Sequence, residues 1–149
     1  MKLTLRGQKG IYAIEFAIVA SVFFVILFGA IEIARLLFTY NVLHEASRRA
    51  ARLAVVCPVN NDINALALFN NANILPNLTV QNLEITYLAF DGTEATGTNI
   101  DLVKAEIKNY THQFLVPGLE RTISSPSFVT TLPRESLGVV YKQGTVSCI

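Results

Sequence analysis

From Ile11 to Ile31 nearly every position is apolar, and Glu15 is the only charge in the run. As a helix this stretch is about 32 Å long, enough to cross a hydrocarbon core of roughly 30 Å. A helix buried in a water-soluble core usually keeps a polar face. This one has none, so it predicts a membrane span. After Ile31 the pattern becomes amphipathic: Leu36, Leu37, Phe38, Tyr40 and Leu43 alternate with Glu32, Arg35, Glu45, Arg48, Arg49 and Arg52. Acid precedes base at Glu32/Arg35 and at Glu45/Arg48/Arg49, spacings that support an exposed helix face. The arginines gather towards the end, where they complement the helix dipole. No Pro or Gly interrupts until Pro58, which pushes Cys57 out of helical geometry. The expectation is one helix of about 45 residues, roughly 70 Å long, half in lipid and half projecting.

The rest of the chain reads as a small domain. Asn60, Asn61 and Asp62 offer an N-cap for a short helix with Ile63, Leu66 and Phe69 as its apolar stripe, closed by Pro76. Leu83, Ile85 and Tyr87 alternate with Glu84 and Thr86, the mark of a half-buried strand. Asp91-Gly92 and the Thr/Gly-rich stretch to Asn99 form a loop. A second strand has Val103, Ala105 and Ile107 on one face and Lys104, Glu106 and Lys108 on the other. Pro117-Gly118 turns the chain again; Phe128, Val129 and Leu132 suggest a third strand, and Val139 to Tyr141 a fourth. The fold class expected is α+β: a long N-terminal helix, then a small antiparallel sheet domain with one short helix. The expected divisions are a leader at 1–10, a transmembrane half-helix at 11–31, an exported half-helix at 32–57 and a domain at 58–149.

Charge adds an orientation. Lys2, Arg6 and Lys9 stand before the span with no acid beside them, which fits a cytoplasmic N-terminus. Arg35, Arg48, Arg49 and Arg52 lie on the other side and pull against that reading. From Pro58 onward Lys104, Lys108, Arg121, Arg134 and Lys142 face eight acids. The exported part is therefore slightly acidic, which argues against nucleic acid as a partner.

Candidate chemistry is sparse. Cys57 follows the long helix and Cys148 is penultimate, so on an oxidising side they can pair, and in a reducing compartment they stay free thiols. A bridge closing that loop stabilises by about 4–5 kcal/mol in the chain-entropy model. His44 and His112 have no second ligand at metal spacing, so no metal site is expected. Nothing places a base beside a cysteine nucleophile; Ser124-Ser125 lacks a nucleophile elbow, and no glycine loop precedes a helix for phosphate. No catalytic residue, cofactor or small-molecule substrate is therefore expected. Ala46, Ala50 and Ala54 form a small-residue seam at helical spacing, suited to packing against another helix or against this chain's own sheet.

The stretch Arg6-Gly7-Gln8-Lys9-Gly10-Ile11-Tyr12-Ala13-Ile14-Glu15-Phe16 resembles the prepilin-peptidase site of type IV pilins. That resemblance implies cleavage between Gly10 and Ile11, with Glu15-Phe16 as the motif at the start of the mature helix. An ionisable side chain this far inside an apolar run is costly and usually functional. Cleavage exposes the amine of Ile11, a cationic partner for Glu15 of a neighbouring subunit, which makes Glu15 an assembly contact. The bland alternative is a glutamate that snorkels to the interface.

Residues Gly10 to Ala17, Leu27 to Tyr40 and Ala46-Ser47-Arg48-Arg49-Ala50-Ala51-Arg52 narrow the resemblance to the TadE-like family, the minor pseudopilins of tight-adherence (Tad/Flp) pili. It is strong over residues 6–56 and diffuse beyond them. Ile14 stands where many members carry Val. The resemblance implies processing by a prepilin peptidase, bacterial inner-membrane residence with a periplasmic domain, and a part in starting pilus assembly. Its implied partners are the membrane, the peptidase, other pilins or minor pseudopilins and the assembly platform. The rival reading is a signal-anchored periplasmic binding or carrier domain, separated from a pilin by the mature N-terminus.

Overall fold

The structure, a computed structural model, describes residues 9–59, 61–72, 74–115, 121–140, 144–145 and 148. Most of the expected leader, the cap position Asn60, the Pro117-Gly118 turn and Tyr141 lie outside the described residues.

One helix, α1 (Lys9–Val56), runs without a break through both the apolar and the amphipathic halves. Its 48 residues make a rod about 72 Å long. Ser21 fits inside the apolar half because its hydroxyl donates to the Ala17 carbonyl at 2.7 Å, leaving no polar group unpaired. On the projecting half Leu43, Ala46, Ala50, Ala51, Ala54 and Val55 are buried. The small domain is built on that face.

A three-stranded antiparallel sheet covers it, formed by β1 (Leu83–Leu88), β2 (Leu102–Ile107) and β5 (Phe128–Pro133), in the order β1-β2-β5. Between β2 and β5 the chain makes a small hairpin of β3 (Thr111–Gln113) and β4 (Thr122–Ser124), and β5 spans Phe128–Pro133. A last hairpin pairs β6 (Val139–Val140) with β7 (Gly144–Thr145). The fourth expected strand thus exists but pairs only locally, outside the main sheet.

Register follows the alternation. Ile85 opposes Ala105 and Tyr87 opposes Val103; across the other side Ala105 opposes Thr130 and Val103 opposes Leu132. Those residues share the face on α1, while Glu84, Lys104, Glu106 and Thr131 share the other. On that outer face Lys104 bridges Glu106 at 2.8 Å and Lys108 pairs with Glu84.

The short helix is shorter than expected. Helix α2 (Asn64–Ala67) is one turn and is followed by a 3-10 turn at Phe69–Asn71. Asp62 still serves its start, since its carboxylate accepts the Asn64 N–H at 3.2 Å. The buried stripe is Ile63, Ala67 and Leu68 instead of Ile63, Leu66 and Phe69. Phe69, at φ 57, packs half-buried against the main core cluster and carries the Arg49 guanidinium 5.4 Å above its ring.

Candidate functional site

The motif residues Gly10, Ile11, Glu15 and Phe16 all lie in the first two turns of α1. Gly10 and Glu15 are exposed, Ile11 is 65% exposed and Phe16 75%. A Cβ added at Gly10 meets nothing within 4 Å. The Gly10–Ile11 bond therefore lies in an end turn whose N–H groups lack intrahelical partners, and glycine weakens that turn further. Ile11 and Glu15, four residues apart, fall on one helix face. Among the described residues no hydrogen bond or ion pair reaches Glu15, so its carboxylate is free to meet another molecule.

The upper end of α1 is fastened to the domain. Its last turn carries no basic side chain, contrary to the expected arginine complement of the dipole. Backbone donors take that role: the N–H groups of Glu135 and Leu137 reach the Val55 carbonyl at 3.3 and 3.1 Å, and Gly138 N–H reaches Val56 at 2.5 Å. Gly138 has φ +79, and a Cβ there would lie 2.3 Å from the Pro58 ring, so only glycine fits. Cys57 and Cys148 are joined in a disulfide with their Cα atoms 5.7 Å apart, tying positions 91 residues apart in sequence. The expected pair is thus bonded at the top of the helix.

Ala46, Ala50 and Ala54 are wholly buried under this chain's own residues. Ala46 and Ala50 share a cluster with Ala105 and Ile107, and Ala54 shares one with Val103. The seam lets the sheet approach the helix closely.

A polar cluster that the sequence does not advertise sits where α1 leaves its apolar half. Glu32 is only 6% exposed, so the expected exposed face at Glu32/Arg35 is corrected: the carboxylate is covered by the domain. It accepts from Arg35 Nη1 at 2.7 Å and lies 3.4 Å from His112 Nε2. His112 Nδ1 is 3.4 Å from the Thr39 hydroxyl, and the Phe114 ring stands edge-on at 5.4 Å. The Nε2–Glu32 approach is an ion-pair contact only when the ring is charged; its angle makes no hydrogen bond, and among the described residues Nε2 has no hydrogen-bond partner. Above it Tyr110 donates to the Pro76 carbonyl at 3.0 Å. Burial pushes its phenol up, with the Arg35 charge pulling the other way. The recess beside this cluster, about 140 Å³, is lined by Arg35, Thr39, Pro76, Tyr110 and His112. It has room for only about five waters. Among the described residues no group of three or more His, Cys, Asp or Glu is placed to hold a metal ion.

Among the described residues one helix is long and apolar enough to cross a membrane, is uncovered over that stretch and carries a small α+β domain on its other half, an arrangement that fits a membrane-anchored protein. Residues 10–52 match the family model described as TadE-like protein, consistent with the Tad pilus system and with a structural, pilus-associated family. The match covers the motif, the apolar half and the projecting half up to Arg52. No curated protein and no solved structure matches the chain.

Proposed function

We propose that this protein is a minor pseudopilin that takes part in assembling or initiating a Tad/Flp-type pilus. The observation that carries it is the family match over residues 10–52, which coincides with the apolar helix bearing Gly10 and Glu15. In this reading a prepilin peptidase cuts between Gly10 and Ile11, the N-terminus faces the cytoplasm, and the domain lies in the periplasm of a bacterial inner membrane. An oxidising periplasm is the compartment in which the Cys57–Cys148 bridge persists.

Glu15 acts as an assembly contact. A carboxylate inside the apolar run costs several kcal/mol unless paired or neutralised. The amine freed at Ile11 of a neighbouring subunit offsets that cost once subunits dock. Other pilins and the assembly platform are the partners this chemistry fits. No residue acts as a catalyst in this scheme.

The deciding experiment is the mature N-terminus of protein made beside its cognate peptidase. Mass spectrometry should show Ile11 first, and a Gly10→Trp variant should remain precursor. An intact segment before Ile11 in the unaltered protein overturns the proposal.

A further inference from the structure

Strand β5 climbs α1 at one side of the sheet, and its antiparallel neighbour β2 descends. Phe128 packs 5.6 Å from the Tyr40 ring and 6.3 Å from the His44 ring. Higher up, the Thr130 and Ser47 hydroxyls are 3.0 Å apart, and just past the strand Glu135 N–H bonds the Val55 carbonyl. In an antiparallel ladder alternate residues exchange bonds with the neighbour, and those between turn their N–H and C=O the other way. Arg134 N–H bonds the Asp101 carbonyl at 2.9 Å, which sets that phase: Phe128, Thr130 and Leu132 bond to Ile107, Ala105 and Val103. Lys108 N–H on the Asn82 carbonyl sets the complementary phase, with Lys104 and Glu106 serving β1. The N–H and C=O of Val129 and Thr131 therefore point to the open edge. Among the described residues none of these four groups has a hydrogen-bond partner.

Edge strands are usually blunted by charge, by a bulge or by covering chain. Phe128–Pro133 carries no charged residue, and only Pro133, which lacks an N–H, limits the row at its upper end. The sheet's other edge is closed by the chain itself over its upper end, where Ala95 N–H bonds the Tyr87 carbonyl and Leu88 bridges to Glu94. Phe128, Thr130 and Leu132 face α1 yet are only half-buried, as expected of a strand whose outer flank is open. The flank of α1 beside that edge is basic. His44 is exposed next to Phe128, and Arg48 and Arg52 follow at one-turn steps, near the levels of Thr130 and Leu132. Both arginines are exposed, and among the described residues no ion pair reaches either, not even from Glu45 three residues before Arg48.

We propose that the open edge of β5 is a strand-addition site for an extended segment of a partner protein that carries carboxylates at alternate positions. The added strand takes up the free N–H and C=O groups of Val129 and Thr131. Its alternate side chains lie over the α1 flank, where carboxylates meet Arg48 and Arg52. The other set of side chains lies beside Val129 and Thr131, a surface suited to β-branched residues. A second copy is the poorer occupant. Anchored in the same membrane, it climbs in the same direction, so two β5 strands meet only as a parallel pair, whose slanted bonds are not shared equally across a two-fold axis. That choice rests on the anchored reading of α1; the open edge does not.

The test uses full-length protein in detergent micelles, with amide hydrogen exchange read residue by residue. Alone, Val129 and Thr131 should exchange much faster than Thr130 and Leu132 at every protein concentration. The probes are short capped peptides that alternate threonine with glutamate, threonine with lysine, and threonine with glutamate N-methylated at every second residue. The glutamate peptide should protect Val129 and Thr131 and bind about tenfold tighter than the other two. Thr131→Pro should weaken it by about the same factor, since proline on an edge keeps the fold but removes a free N–H. Arg48→Glu should weaken it while leaving the unfolding midpoint unchanged. Equal binding of the lysine peptide overturns the partner chemistry. Glutamate-peptide binding that leaves both amides fast, or that survives N-methylation, overturns strand addition and leaves docking on the arginines by charge alone. Protection that appears without peptide overturns the proposal as well: if it grows with protein concentration the edge belongs to a second copy, and if it does not the chain covers its own edge. The mature N-terminus is read separately, so the pilin assignment and the open edge can fail independently.

Discussion

The Glu32 carboxylate lies 3.4 Å from His112 Nε2 although the two are separated by most of the domain in sequence. Among the described residues it is the polar tie to the sheet domain nearest the N-terminal end of α1, and Arg35 completes it at 2.7 Å. A buried carboxylate is held by its hydrogen-bond partners, and removing it strands the groups that faced it. Glu32→Ala should destabilise the domain by about 2–3 kcal/mol and raise hydrogen exchange across β3 and β4. Glu45→Ala, at an exposed position of the same helix, should change stability by less than about 0.5 kcal/mol. Equal effects would mean that the Glu32 contact holds nothing.

Glu15 gives a prediction that separates assembly from processing. Glu15→Gln keeps the size and removes the charge. Peptidase cleavage should be unchanged by mass, while co-purification with other pilins falls. Normal assembly with this variant would make Glu15 a snorkelling residue, and lost cleavage would make it part of the peptidase's recognition.

Gly138 packs closely against Pro58 at the end of α1. A methyl group there lies 2.3 Å from Pro58 Cγ, in a backbone region that L side chains rarely adopt. Gly138→Ala should cost about 1–3 kcal/mol, read as a lower unfolding midpoint in detergent. Gly92→Ala shares the positive φ but has open space, and should cost less.

Removal of both cysteines tests the upper fastening. Cys57→Ser with Cys148→Ser should lower stability by about 4–5 kcal/mol in the chain-entropy model, given the separation of 91 residues. Exported protein should fall while the mass at the N-terminus stays the same. Non-reducing peptide mapping of the unaltered protein should recover the two segments linked.

Glu106 supplies a pH dependence. The hydrogen bond from Lys104 is the largest effect on its carboxyl and holds it below its ordinary 4.5. A depressed acid contributes stability that is present above the ordinary value and lost as pH falls through the lowered one. The pair is partly exposed, so the contribution is about 0.2–1 kcal/mol. Glu106→Gln should therefore lower stability slightly at neutral pH, and the gap to the unaltered protein should close in acid. A gap that persists in strong acid would assign the effect to packing.

The helix was legible along its whole length because its evidence is local. An unbroken apolar run, an amphipathic continuation and Pro58 specify α1 whatever else the chain does, and the alternation at Leu83–Tyr87 and Val103–Ile107 specifies two strands. Glycine ahead of a charged residue in an apolar helix is equally a property of neighbouring positions. The tertiary structure decided everything that depends on distant segments meeting. Glu32 read as exposed because Arg35 beside it satisfies a helix-surface pattern, and only the descent of β3 brings His112 over it. The end of α1 read as capped by arginine charge, but the Glu135–Gly138 loop arrives with backbone donors that bond its last carbonyls directly. Ala46, Ala50 and Ala54 fit a partner helix or a sheet equally well by spacing. The sheet covers them because β2 and β5 pair in register over that face and close small-residue contact excludes water from it.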